Sequence, residues 1–337
     1  MKSSRLVALG TAGLIGLLTA CSPATTEESG PAQTSGTSSQ SASTQAEPAM
    51  IMDTRGNHIT IPAKLDSIVA TDNRIFETLS DRGVKLSAAP VNLISSEIAY
   101  KKDSSIVNLG SHKEPDLEAV VAAQPDLILN GQRFGQYYED FQKLVPDAVI
   151  VDTNIDEEKP YDEELIRQTE TLGQIFGKEA EAAKLVDDFK ASIERVKAAD
   201  DPSQKVMGVI TSGGEINYAA PHTGRSLGPI FDILGLTPAL STEGSTDHEG
   251  DNISVETIAD SNPDLILVMD RAAATSANSG EDYTPANELL ANSAALKNVT
   301  AVKNGNIAYM PQDTYVNEGI QTYTEFFNSL ANKLEQS

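Results

Sequence analysis

Two stretches of this chain are altered copies of one another. Glu114–Arg133 reads EPDLEAVVAAQPDLILNGQR, and Ile253–Arg271 reads ISVETIADSNPDLILVMDR. Aligned on Pro-Asp-Leu-Ile-Leu, they lie 138 residues apart. Each reads as a short helix with an early Glu (Glu118, Glu256), then Pro-Asp, an apolar strand, and an Arg just past the strand (Arg133, Arg271). The period is too long for a solenoid. It describes one α/β unit used once in each of two similar lobes.

The rest of the chain fits that frame. Met50–Pro62 alternates around Arg55-Gly56-Asn57 and predicts a hairpin. Short strands are expected at Ser67–Ala70, Leu86–Pro90 and Ala148–Asp152. Helices are expected around Ile75–Leu79, closed by Gly83, over Phe134–Leu144 and over Glu163–Phe176. Lys178–Ala199 has neither Gly nor Pro, and Ala182, Leu185, Phe189, Ile193 and Val196 keep a three/four spacing. Such a helix is ~33 Å long, the width of a small domain. Its place between the two repeat units marks it as the connector, though periodicity alone also fits a long helix packed on one lobe. Lys205–Thr211 starts the second lobe. A helix over Gly224–Leu234, a polar loop over Ala272–Thr284, a helix from Pro285, a strand at Asn306–Met310 and a last helix lined by Ile320, Tyr323, Phe327, Leu330 and Leu334 follow. Strands alternating with helices give an α/β fold: two similar Rossmann-like lobes joined by one long α-helix, with a ligand cleft between them.

Lys2 and Arg5, the apolar run Leu6–Leu18 and then Leu18-Thr19-Ala20-Cys21 describe an export signal rather than a spanning helix. Cys21 is the only Cys. Ser22–Ala49 is Ser, Thr, Gln, Ala, Gly and Pro with little apolar content, the composition of a flexible tether. The expected division is 1–20 signal, 21–49 tether, 50–176 N-terminal lobe, 177–200 connecting helix and 201–337 C-terminal lobe. The formal charge is −24. Loss of Lys2 and Arg5 leaves 23 basic against 49 acidic residues, a charge of −26. That argues against nucleic acid and anionic membrane surfaces as partners. Any gathering of Arg on such a body is informative.

Lipobox, tether, lobe, long helix and second lobe together resemble the helical-backbone class of ABC-importer substrate-binding proteins. The resemblance covers essentially the whole mature chain. Asn130-Gly131-Gln132-Arg133, His222–Leu236, Met269-Asp270-Arg271 and Tyr309–Tyr315 resemble the branch that binds ferric catecholate siderophores of the enterobactin and petrobactin type. The resemblance implies a lipid on Cys21, holding the protein at the extracytoplasmic face of a bacterial cell membrane. It implies a monomer that is not an enzyme and has no intrinsic cofactor. Its cargo would be ferric iron as a siderophore complex, delivered to an ABC permease. The family carries three Arg in its cleft, here Arg133, Arg225 and Arg271. Arg133 and Arg225 are each displaced by one residue from the family's usual positions, and Arg74 offers a substitute. The branch completes the iron shell of a tetradentate siderophore with a His and a Tyr, here His248 and Tyr315. One exposed Glu per lobe docks on the permease, here Glu118 and Glu256.

The chemistry of these residue types agrees. A ferric tris-catecholate is a trianion with aromatic faces. Guanidinium is always charged, donates in a planar fork and stacks on rings. Strand ends of α/β sheets are where ligands sit. On chemistry alone, Arg133 and Arg271 could equally be surface residues that follow strands, His248 a solvated loop residue, and Glu118 and Glu256 plain helix-start carboxylates. Haem, cobalamin and hydroxamate siderophores stay open as cargo. Gly224-Arg225-Ser226-Leu227-Gly228 matches a hydrolase nucleophile elbow, but Pro221 breaks its approach and the last His, His248, follows by only 22 residues. A zinc carrier needs several converging His, and the chain has only His58, His112, His222 and His248.

Overall fold

The Pro-Asp-Leu-Ile-Leu runs become interior strands, one in each of two mainly parallel sheets. In the computed structural model, which describes residues 48–110, 113–276 and 283–336, the chain opens with a hairpin. It pairs β1 (Met50–Met52) with β2 (His58–Thr60), turning at Gly56 (φ +78°). The first sheet is built from β3 (Ile68–Ala70), α1 (Phe76–Asp81), β4 (Ala88–Ala89), β5 (Val107–Asn108), α2 (Leu117–Ala123), β6 (Leu127–Asn130), α3 (Tyr138–Leu144) and β7 (Val149–Asp152). Its order is β5-β4-β3-β6-β7, all parallel. Helices α4 (Tyr161–Phe176) and α5 (Glu179–Ala199) lead to the second sheet.

That sheet comprises β8 (Lys205–Ser212), β9 (Glu215–Ala219), α6 (Gly228–Leu234), β10 (Thr237–Pro238), α7 (Val255–Ser261), β11 (Leu265–Asp270), α8 (Arg271–Thr275), α9 (Ala286–Asn292), α10 (Thr300–Asn304) and β12 (Ile307–Tyr309). Its order is β10-β8-β11-β12, with β9 antiparallel on β8. Helix α11 (Ile320–Leu334) ends the chain. Both repeat strands, β6 and β11, have parallel neighbours on each side and bury both faces. That is why they read as unbroken apolar runs. Alternate residues divide between two cores. Leu127 and Leu129 face one core and Ile128 the other, and Leu265 and Leu267 are likewise opposed to Ile266 and Val268.

The repeat extends into the capping chemistry. Asp116 Oδ1 accepts from Ala119 N (2.9 Å) and Ser254 Oγ from Thr257 N (3.2 Å), starting α2 and α7. Both helices stop at a left-handed residue before Pro, Gln124 (φ 45°) and Asn262 (φ 43°). The Asp of each Pro-Asp then ties its strand to the start of the neighbouring one. Asp126 Oδ2 accepts from Ser67 N (2.8 Å) and Asp264 Oδ2 from Lys205 N (2.9 Å).

The long helix is α5, but it does not bridge the sheets alone. Val186, Phe189, Ile193 and Val196 of α5 enter the second lobe's core, where Phe189 stacks on Phe327 of α11 at 6.0 Å. Helix α4 reaches both cores, Leu165 the second and Leu172 and Ile175 the first. Three local expectations change. Gly224–Leu234 becomes helical only from Gly228, because Gly224 and Gly228 are pressed onto the backbone of residues 219–223, and a Cβ on Gly224 would lie 2.6 Å from Ala220 N. The polar loop over Ala272–Thr284 starts as α8, capped by Asp270 Oδ1 accepting from Ala273 N at 3.0 Å; residues 277–282 lie outside the described residues. Phe134–Leu144 is not one helix, since a 3-10 stretch, Gln132–Tyr137, precedes α3. Cys21, the export signal, nearly all of the tether and His112 lie outside the described residues. Among the described residues no helix is long and apolar enough to cross a membrane.

Candidate ligand-binding site

Beyond the end of β6 the chain must turn within two residues. Asn130 is fully buried and accepts from Thr71 Oγ1 (2.9 Å), and Gly131 N donates to that same hydroxyl (3.1 Å). Only Gly fits at 131. A Cβ there would meet Asp72 Oδ2 at 2.3 Å and Thr153 Oγ1 at 2.6 Å. Gln132 then adopts φ 52° and donates its N–H to Asn154 Oδ1 (2.7 Å). Arg133 comes to rest with its guanidinium carbon 5.4 Å from the centre of the Tyr315 ring.

Two more Arg meet the same ring. Arg271, the first residue of α8, lies 4.9 Å from its centre, and Arg225 lies 4.5 Å away. Arg225 sits in a turn shaped by left-handed His222 (φ 70°) and Ser226 (φ 57°). Tyr315 itself is buried in the 3-10 turn Thr314–Val316. Burial pushes its phenol up. Hydrogen bonds from Arg133 and Arg271 and the charges of Arg133 and Arg225 outweigh that, and hold it below the usual tyrosine value.

The three cations are balanced differently. Arg225 forks onto Glu318, Nε to Oε1 at 3.2 Å and Nη2 to Oε2 at 2.7 Å, and the Ser226 hydroxyl also donates to Glu318 Oε1. Burial raises the Glu318 carboxyl, but the charge and hydrogen bonds of Arg225 and the charge of Arg74 prevail and hold it below the ordinary range. Arg271 Nη1 donates to Ser212 Oγ (3.0 Å) and pairs with Glu249 (3.2 Å), while its Nε is buried without a partner. Arg133 has no carboxylate partner among the described residues.

The other sequence-selected residues divide. The ring of His248, half-exposed, lies 6.5 Å from that of Tyr315. Arg74 does not join the ring. It is turned behind the site, 3.7 Å from the fully buried Asp72. Glu118 and Glu256 stand exposed in the first turns of α2 and α7, with no ion pair among the described residues. Val120 of α2 shares a core with Ile128 of β6, and Ile258 of α7 shares one with Ile266 of β11. Ser226 is held by Glu318 and not by an imidazole, while His222 Nδ1 contacts Asp232 Oδ1 at 2.7 Å. Sequence reasoning missed Glu318, Ser212 and Glu249. Each is far from its Arg along the chain, and no spacing signals the pairing.

Tyr315 fills the gap between the Arg side chains. A small cavity of about 10 Å³ lies beside Arg133, bounded by Thr71, Phe76, Pro90 and Leu93. A wider cavity of about 1150 Å³ adjoins this site and shares Val316 with it. The chemistry therefore sits beside the larger opening and not within it. An anionic, ring-bearing group suits the Arg cluster, because three guanidinium groups already gather on one aromatic ring.

The family described as Periplasmic binding protein matches residues 68–314. The petrobactin-binding protein YclQ of Bacillus subtilis is 28% identical over 301 residues, covering 84% of this chain and 90% of that protein. The ferric-anguibactin-binding protein FatB of Vibrio anguillarum is 32% identical over 218 residues, 64% of this chain and 65% of its own. The crystal structure of YclQ superposes with a TM-score of 0.73 at 26% identity, over 86% of this chain and all of that one.

Proposed function

This chain belongs to the periplasmic binding protein family, and from that premise we propose that it captures a ferric siderophore of the catecholate type and hands it to an ABC permease. The observation that carries this reading is the convergence of Arg133, Arg225 and Arg271 on one aromatic ring. A catecholate has the same demands as the Tyr315 phenol, a π-face for stacking and oxygen for charged donors. It adds full negative charge, which Arg133, with no carboxylate partner among the described residues, can meet. The charge of −26 expected once Lys2 and Arg5 are removed opposes a trianion at long range, but screening over ~8 Å leaves the local Arg field decisive.

His248 and Tyr315 are proposed to close the iron shell when the siderophore supplies four donors. The depressed phenol favours this, since an iron ligand must shed its proton. Glu118 and Glu256 are proposed to dock on the permease, as a matched pair suited to a two-fold partner. The lipid anchor on Cys21, the monomeric state and the division into lobes at 177–200 belong to the same reading. The relatives named for petrobactin and ferric anguibactin support iron-siderophore cargo over haem or cobalamin.

The chain has no Trp and nine Tyr, so quenching of tyrosine fluorescence follows binding directly. Ferric catecholates should quench saturably. Binding by only a ferric hydroxamate, haem or cobalamin would refute the catecholate assignment. With a tetradentate ferric catecholate, a new charge-transfer band that disappears in Tyr315→Phe is expected; an unchanged band would remove Tyr315 from the iron shell.

A further inference from the structure

Two carboxylates answer the three Arg, and they are held in opposite ways. Glu318 is buried and fixed. Arg225 forks onto both of its oxygens, and the Ser226 hydroxyl donates to Oε1 as well. Glu249 is open to solvent, its side chain 51% exposed against 19% for the Arg271 that it meets. Its Oε1 lies 3.2 Å from Arg271 Nη1 and accepts from the buried Ser212 hydroxyl at 3.3 Å, long for a bond between oxygens. An ion pair that water reaches from one side is weak.

The backbone beneath Glu249 does not share this freedom. Its carbonyl accepts from the buried Asn217 Nδ2 (2.9 Å), and Asp251 exchanges backbone hydrogen bonds with Tyr218 (3.0 and 2.8 Å). Between them Gly250 (φ +83°) is pressed onto β9, where a Cβ would lie 3.0 Å from Tyr218 O. Glu249 is thus a carboxylate on a fixed stem, and a change of its own rotamer is enough to part it from Arg271. Arg271 has other ties. Its Nη1 donates to Ser212 Oγ (3.0 Å), and its Nε, buried without a partner, is a donor in reserve.

Counted over these five side chains, three guanidinium groups against Glu318 and Glu249 leave one net positive charge. We propose that Glu249 is a movable counter-ion that grades cargo by charge. It yields Arg271 to an anionic oxygen of the chelate, and it weakens binding in step with the chelate's negative charge. This rests on the siderophore reading and adds to it a specificity-determining residue. A carboxylate turned aside on a fixed stem stays within the ~8 Å screening distance of the chelate that replaced it. Its repulsion grows with the charge it faces. Glu249 therefore tips the site away from a trianionic ferric tris-catecholate and toward a monoanionic bis-catecholate.

The test is tyrosine-fluorescence titration of the full chain, Glu249→Gln and Glu249→Asp with two ferric complexes: a hexadentate tris-catecholate, the trianion, and a tetradentate bis-catecholate, the monoanion. Glu249→Gln should tighten the trianion about tenfold and the monoanion about twofold, because the repulsion removed scales with charge. Added salt should shrink both gains. Glu249→Asp keeps the charge on a shorter stem and should preserve the ratio of the two affinities seen in the unmodified chain. A merely structural role would move both complexes by the same factor in Glu249→Gln. That result, or a trianion bound more weakly by Glu249→Gln, would overturn the proposal and leave the siderophore reading standing. An unmodified chain that binds neither complex would overturn both.

Discussion

The two repeat units agree where they build the sheets and differ where their strands end. Asp126 and Asp264 make the same tie, Asp116 and Ser254 the same cap, and Gln124 and Asn262 the same left-handed stop. Past the strands the likeness ends. Arg133 is reached through Gly131 and a left-handed Gln132, and has no carboxylate partner among the described residues. Arg271 opens a helix and is tied to Ser212 and Glu249. One unit therefore offers a cation that meets a phenol, with no carboxylate partner among the described residues, and the other a cation paired with a carboxylate. Sheet construction tolerates only one solution, whereas a strand end is free to diverge.

The comparison can be strained first in the cores. Leu129 and Leu267 are both fully buried at equivalent places. Leu129→Ala and Leu267→Ala should each cost about 2–5 kcal/mol in urea unfolding. Costs differing by more than about 2 kcal/mol would break the structural equivalence. The caps offer a finer test. Gln at φ 45° is strained where Asn is tolerated. Gln124→Gly should raise stability by about 1 kcal/mol and Asn262→Gly by less; the reverse order in thermal melts would contradict this account.

The third cation, Arg225, has no counterpart in the first lobe and carries its own buried counter-charge. Because the Glu318 carboxyl is held below its usual value, its contribution to stability is complete above the ordinary Glu range, about 4.3. That contribution is lost as pH falls through the lower folded value. Glu318→Gln should flatten the acid limb of the stability curve below about pH 4, and an unaltered limb would show the pair to be inert. The smallest effect on the protein itself is expected at the two helix starts. Glu118→Ala and Glu256→Ala should change stability by less than about 0.5 kcal/mol and leave ligand binding intact, while uptake in cells falls. Undiminished uptake in the double variant would remove them from docking.

Much of this was legible in the residues. The apolar runs, the Pro-Asp junctions and the gap-free Lys178–Ala199 gave the lobes and the long helix, because period and punctuation are local properties. The antiparallel β9 was not anticipated, although Gly213-Gly214 carries a hairpin signal. The sharing of the crossing between α4 and α5 was hidden, since it depends on which core each face meets. Within the site, the Arg could be named from strand ends and the family resemblance. That all three face one Tyr, that Arg74 turns inward to Asp72, and that Glu318 balances Arg225 from 93 residues away are tertiary facts with no local mark.

The central claim is that an Arg with no carboxylate partner, at the end of one repeat, does most to hold the anionic cargo. The direct measurement is tyrosine-fluorescence titration of one ferric tris-catecholate against the unmodified chain, Arg133→Ala, Arg271→Ala and Arg195→Ala. Arg195 is bound to Asn328 and Glu335 well away from the site and serves as the control. The account predicts a loss of about 100-fold for Arg133→Ala, as for removal of a charged hydrogen-bonding partner, a smaller loss for Arg271→Ala, and none for the control. An Arg133→Ala protein that binds as tightly as the unmodified chain would contradict it.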